Sequence, residues 1–243
     1  MGIEEELVPS VAFVIGPVQI TSTVTTTWFI VAFLGVLSYL MGRRLELRPG
    51  ISQNVLEWVV ESIDGLLQKM IGRDSRILLP FVGTLAIFIT VANLTDLIPG
   101  VKAPTTDLNT PLALALIVFG SVHYYGIRHR GLMGHLKHYV EPIFLMLPIE
   151  VVGELARTLS LTLRLFGNML GEEIVVSVLF LVLPLLVPVP MMIFGIFTGL
   201  IQAYIFTILT ITYLAGAVRA SQPKQPPRAR RARSNNSMSE RRQ

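Results

Sequence analysis

The chain has 243 residues, is 52% hydrophobic and only 15% charged, and has a mean hydropathy of +0.62. That balance excludes an ordinary soluble domain and fits a polytopic membrane protein. The formal charge is +4 and cysteine is absent, so disulfides, thiolate zinc sites and thiol nucleophiles are excluded. A basic sign could suggest nucleic acid. In a membrane chain it is first explained by cytoplasmic loops, and no nucleic-acid partner is expected.

The start of the chain is acidic through Glu4, Glu5 and Glu6. A secretory signal needs a positive start, so none is expected. The first apolar segment runs from about Thr21 to Met41 and ends at Arg43 and Arg44, with Pro49-Gly50 beyond as a helix breaker. Ile51 to Ile71 carries Val55, Leu56, Val59, Val60, Ile63, Leu66, Leu67 and Met70 at helical spacing, with Glu57, Glu61, Asp64 and Lys69 between them. This predicts an amphipathic helix lying at the membrane interface.

Ile77 to Ile98 is the second span and Pro111 to Ile127 the third. Asp96 beside Pro99 reads as the end of a span at the interface in preference to a channel position. A polar, basic loop follows from Arg128 to Glu141. His123, His129, His135 and His138, the last two one turn apart, lack a carboxylate at matching spacing and read as a solvated basic loop rather than a metal site. Pro142 to about Leu183 is too long for one perpendicular helix: at ~1.5 Å per residue it exceeds a ~30 Å bilayer twofold. It must be tilted, broken or partly interfacial. Met191 to Val218 is the last apolar segment, and the Pro- and Arg-rich stretch from 219 to 243 reads as a disordered tail.

Basic residues cluster around the interfacial helix, in the 128–141 loop and in the tail, with Lys102 alone on the opposite side. Five spans then place the N-terminus outside and the C-terminus in the cytoplasm. The division expected is a short outer N-terminus (1–20), a membrane unit (21–218) and the tail (219–243). The fold class is all-α integral membrane: about five transmembrane or tilted helices and one interfacial helix, the last two long helices forming a tilted hairpin.

Within the over-long segment, Arg164 stands in an apolar run. An arginine at mid-membrane costs ~3 kcal/mol on insertion scales, and its proton cannot be shed. It must meet a partner, a wet cavity or another subunit. Glu150, Arg157 and Arg164 are spaced by seven and line one helical stripe, beside a row of Gly153, Ser160 and Gly167. Glu150 and Arg157 can also be read as a water-bridged pair within the helix. Glu173 points to roughly the opposite face from Arg164. Gly195-x-x-x-Gly199 reads as helix packing. No P-loop pattern occurs, and neither cofactor nor metal is expected. A self-contained secondary transporter should carry paired repeats, and none is visible. A purely structural membrane protein leaves Arg164, Glu150 and Glu173 unexplained.

Four stretches carry a family resemblance: Asn93-Leu94-Thr95-Asp96-Leu97-Ile98-Pro99, Pro104-Thr105-Thr106-Asp107-Leu108-Asn109, Leu163-Arg164-Leu165-Phe166-Gly167-Asn168-Met169 and Gln202-Ala203-Tyr204-Ile205-Phe206. In order and spacing, over roughly residues 20 to 218, the chain resembles subunit a of F-type rotary ATP synthases. The resemblance implies a stator beside a rotating ring of c subunits, with peripheral-stalk b subunits, the remaining synthase subunits and the lipid bilayer as further partners. It implies two separate half-channels for a proton or sodium ion, and no catalytic chemistry of the chain's own. The essential arginine falls on Arg164 and its helix partner on Gln202. Half-channel positions fall on Asp107, Glu150, Asn168 and Glu173, with Asp107 and Glu173 toward the outside and Glu150 toward the cytoplasm. Gly195 departs from those members that carry an ionisable residue there. The resemblance gives the tail no role. A bacterial plasma membrane is the location expected.

Overall fold

The computed structural model describes residues 11–15, 18–43, 50–98, 101–140, 146–182 and 188–219. The expected tail, apart from Arg219, and the first ten residues lie outside them. A short antiparallel hairpin, β1 (Val11–Ile15) and β2 (Val18–Thr21), precedes the helices. It leads into α1 (Ser22–Arg43). Thr25, Thr26 and Thr27 each donate a hydroxyl to the carbonyl four residues back, so the polar start of the span keeps its hydrogen bonds satisfied. Trp28, Phe29, Phe33 and Tyr39 face outward, and only Thr23 and Ile30 are buried. Arg43 lies over the Tyr39 ring at 4.6 Å, an aromatic and basic anchor at the span's end.

The amphipathic segment is α2 (Ile51–Met70). Ile63, Leu67 and Ile71 pack into a cluster with Leu78, Val82, Ile211, Leu214 and Val218. Glu57 and Glu61 stay exposed, as do Trp58, Val55 and Val60. The chain then reverses at Gly72, whose φ of 102° suits a residue without a Cβ. After a 3-10 turn, α3 (Leu79–Leu94) begins with proline in its first turn. Its buried residues Val82, Leu85, Ala86, Ile89 and Ala92 recur at helical spacing and face one side.

Three long helices follow: α4 (Asn109–Val140), α5 (Met146–Val182) and α6 (Pro188–Arg219). α4 breaks at Gly131, where φ 73° and ψ 163° are not helical. α5 runs through all 37 of its residues, which at ~1.5 Å each is far longer than a ~30 Å bilayer is thick. Leu85, Ile89, Leu114, Ala115, Val118, Leu161, Leu165, Ala203 and Phe206 make the second core, joining α3, α4, α5 and α6. α3 and α6 approach closely where Gly199 meets Asn93, and the Asn93 amide donates to the Gly199 carbonyl at 3.1 Å.

Among the described residues, four helical stretches are long and apolar enough to cross a membrane: Ser22–Arg43, Leu79–Leu97, Asn109–Arg128 and Pro190–Val218. α5 carries the charges of the stripe. The all-α membrane architecture expected from the sequence holds. The hairpin before α1 is an addition that the sequence reading left as plain N-terminus.

Candidate functional site

The site lies along α5 where it packs between α4 and α6. Leu161, Leu165 and Met169 anchor one face of α5 in the core. Arg164, Gly167 and Gly171 are exposed on another side. The continuous helix therefore keeps Glu150, Arg157 and Arg164 in one row, as their spacing demands. The Arg164 guanidinium has no hydrogen-bond or ion-pair partner among the described residues. Leu159 and Leu163 on α5 and Ile201 and Tyr204 on α6 are exposed as well.

One turn beyond Arg164, the Asn168 Nδ2–H donates to Gln202 Oε1 at 2.7 Å. Gln202 is only 1% exposed, and its Nε2 is a buried donor without a partner among the described residues. The two amides tie α5 to α6 immediately next to the arginine.

Farther along α5, a cavity of about 190 Å³ opens between α3, α5 and α6, lined by Asn93, Asp96, Met169, Glu172, Met192 and Gly195 among others. Glu172 Oε2 accepts the Thr198 hydroxyl at 2.6 Å. Gly195 makes room for this carboxylate: a Cβ there would stand 2.6 Å from Glu172 Oε1. The glycine that departs from the family pattern thus leaves space which an acid from α5 fills. Glu173, the adjacent residue, turns away from this cavity and pairs with Lys102 at 3.9 Å.

Asp107 stands apart from the cavity and is 9% exposed. Its carboxylate accepts Thr23 Oγ1 at 2.7 Å, Thr21 Oγ1 at 3.4 Å, the Asn109 backbone N–H at 3.1 Å and Asn109 Nδ2 at 3.0 Å. It ties α1 to the start of α4. Glu150 is half-buried at the other end of α5. Arg157 does not pair with it among the described residues. Its guanidinium lies 5.9 Å from the centre of the Tyr213 ring. Glu154 makes an ion-pair contact with His123 of α4, Nε2 to Oε2 at 3.3 Å.

Sequence reasoning missed Glu172 and Glu154, read His123 as solvated with the other histidines, and preferred a span terminus to a channel position for Asp96. The double acid Glu172-Glu173 was the signal for the first. On a helix, neighbours differ by ~100°, so one of the two had to face away from the other's partner.

This is an all-α integral membrane protein with charged and amide side chains spread along one long helix, α5, and its contacts with α4 and α6. Comparison with known sequences gives its kind. The family described as ATP synthase A chain matches residues 24–215. ATP synthase subunit a 2 of Bradyrhizobium sp. (strain BTAi1) is 46% identical over 212 residues, covering 87% of this chain and 95% of the relative. ATP synthase subunit a of Moorella thermoacetica is 46% identical over 210 residues, covering 86% and 96%. Subunit a 1 of Syntrophotalea carbinolica is 47% identical over 199 residues, covering 80% and 85%. The chain belongs to the ATP synthase A-chain family, and is thus a membrane subunit of the ATP synthase complex.

Proposed function

We propose that this subunit is the ion-translocating stator of the membrane sector, coupling proton or sodium flow to rotation of a c-subunit ring. The observation that carries the reading is Arg164. It is a permanent cation, without a partner among the described residues, on an exposed side of α5, one turn from the amide bond between Asn168 and the buried Gln202. A ring of membrane-buried carboxylates supplies what it lacks. The guanidinium stabilises an arriving carboxylate in its ionised form, so the bound cation leaves. It bars direct passage of a cation from one side to the other. It also gives an emptied carboxylate a transient partner in the membrane. Nucleotide chemistry belongs to other subunits of the complex.

Two polar routes flank Arg164 in this reading. The outer one comprises the cavity of Asp96 and Glu172, with the Glu173–Lys102 pair on the same side of the membrane and Asp107 toward the outside, apart from the cavity. The cytoplasmic one begins at Glu150. Asn168 and Gln202 stand between them and keep the guanidinium side chain from a fixed ion pair that would stall rotation. The N-terminus lies outside and the C-terminus in the cytoplasm of a bacterial plasma membrane. The peripheral stalk of b subunits holds the chain against the turning ring.

The test is ATP-driven cation uptake into vesicles carrying the assembled complex, wild type against Arg164→Ala, with and without sodium. Uptake lost in the variant while ATP hydrolysis continues supports the stator role, and the sodium response identifies the ion. Unchanged uptake makes Arg164 structural and ends the proposal.

A further inference from the structure

A second cluster of titratable groups lies toward the opposite end of α5 from the cavity. His123 of α4 places Nδ1 at 2.9 Å from the Phe119 carbonyl oxygen, one turn back on its own helix. A carbonyl only accepts, so Nδ1 carries the hydrogen. In the neutral ring Nε2 is then a bare acceptor. Yet Nε2 faces Glu154 Oε2, another acceptor, at 3.3 Å. Two bare lone pairs facing at that distance repel, so the contact requires one proton between them. Imidazolium with carboxylate and imidazole with carboxylic acid both satisfy it, and each is neutral overall. A neutral pair is the form that a membrane interior tolerates best.

The surroundings suit proton exchange. The His123 side chain is 30% exposed and that of Glu154 14%. A crevice between α4, α5 and α6, lined by Phe119, Val122, Glu154, Arg157, Thr158 and Tyr213 among others, has about 20 Å³ of room, enough for one water molecule. Among the described residues, the other charged or titratable groups on the elements packed here include Tyr124, Tyr125 and Arg128 on α4, Glu150 and Arg157 on α5, and Tyr213 on α6. Glu154 precedes Arg164 by ten residues on a continuous helix, ~15 Å along its axis.

We propose that His123 and Glu154 form a proton-holding station on the cytoplasmic route to Arg164. This rests on the stator reading above. A proton arriving from water binds the bare member of the pair, and the proton already held departs to water on the other side. No bond other than N–H and O–H forms or breaks.

The experiment is proton pumping by the reconstituted whole complex as a function of pH on the cytoplasmic side. It compares wild type, His123→Gln, Glu154→Gln, the double variant, the swap His123→Glu with Glu154→His, and Arg164→Ala. Each single variant should lower the rate about tenfold or more and flatten the cytoplasmic-side pH profile. The double variant should be no worse than either single one, and the swap should restore the profile. A wild-type profile in either single variant, additive losses in the double, or sodium as the transported ion overturns the station. Loss of pumping in Arg164→Ala together with a normal profile in His123→Gln removes the station and leaves the stator reading standing. Should the variants fail to assemble, ¹⁵N NMR of histidine-labelled wild-type complex decides. A histidine protonated at Nδ1 throughout, with Nε2 sharing its proton, supports the pair. Absence of any such ring overturns it.

Discussion

Asn168 and Gln202 join α5 to α6 through one amide hydrogen bond of 2.7 Å, placed a single turn beyond Arg164. The bond leaves the buried Gln202 Nε2 without a partner among the described residues. A donor in that state costs free energy unless something offsets it. A water molecule lodged between α5 and α6 would satisfy it.

Gln202→Leu separates stability from turnover. It removes one hydrogen bond and one orphaned donor at similar volume, so the two effects nearly cancel and unfolding should change by no more than about 1 kcal/mol. Turnover should fall, because the Asn168 amide beside Arg164 loses its fixed partner. Thermal unfolding and ATP-driven uptake on the same preparation check both. Wild-type turnover would remove Gln202 from the coupling machinery.

Gly195→Ala should act through Glu172. The new Cβ meets a carboxylate oxygen at the far end of a flexible side chain. The cost in stability is therefore small, about 1 kcal/mol or less. The carboxylate must swing away from Thr198, and the outer cavity narrows. Ion uptake should slow to the level of Glu172→Ala, with the complex still assembled. Normal uptake in both variants would place the ion path elsewhere.

Lys102 and Glu173 make a partly exposed pair, so Lys102→Glu should cost the fold no more than about 1 kcal/mol. Its effect on translocation should be larger if the proposed outer route passes here, since it sets two like charges side by side. Adding Glu173→Lys restores opposite charges and should recover most of the lost rate. A double variant no better than Lys102→Glu would show that the pairing is incidental.

Thr23→Val tests what Asp107 is for. The hydroxyl donates to a buried carboxylate at 2.7 Å, and removing a hydrogen bond to a charged group costs about 1.5–3 kcal/mol. The variant should lower the thermal midpoint of the complex and leave the pH profile of uptake in place, while Thr23→Ser retains stability. A shifted pH profile with unchanged stability would make Asp107 part of the ion path rather than a tie between α1 and α4.

The spans and the interfacial helix were legible because each is a local pattern. An apolar run, a 3.6-residue period and flanking Arg or Lys all lie within the segment that they describe. The row of Glu150, Arg157 and Arg164 was legible for the same reason, needing only that α5 be unbroken. Glu172 was not, because its role depends on which face of α5 meets Gly195 and Thr198 of α6, a relationship across more than twenty residues. His123 and Glu154 escaped likewise: each looks unremarkable on its own helix, and only the packing of α4 on α5 makes a pair. Asp96 ends its span as expected, yet the cavity beside it is built by α5 and α6. The short hairpin at Val11–Thr21 gave no alternation clear enough to separate it from loop.

The chain has two tryptophans, and both look outward: Trp28 on α1 is 61% exposed and Trp58 on α2 is 69% exposed. Neither indole reports on the packed interior. Intrinsic fluorescence of this subunit is thus a gauge of its surroundings, with one emitter on a spanning helix and one on the interfacial helix. Brominated acyl chains quench each emitter according to its depth, so the two readings measure where the protein sits in the bilayer without any added label.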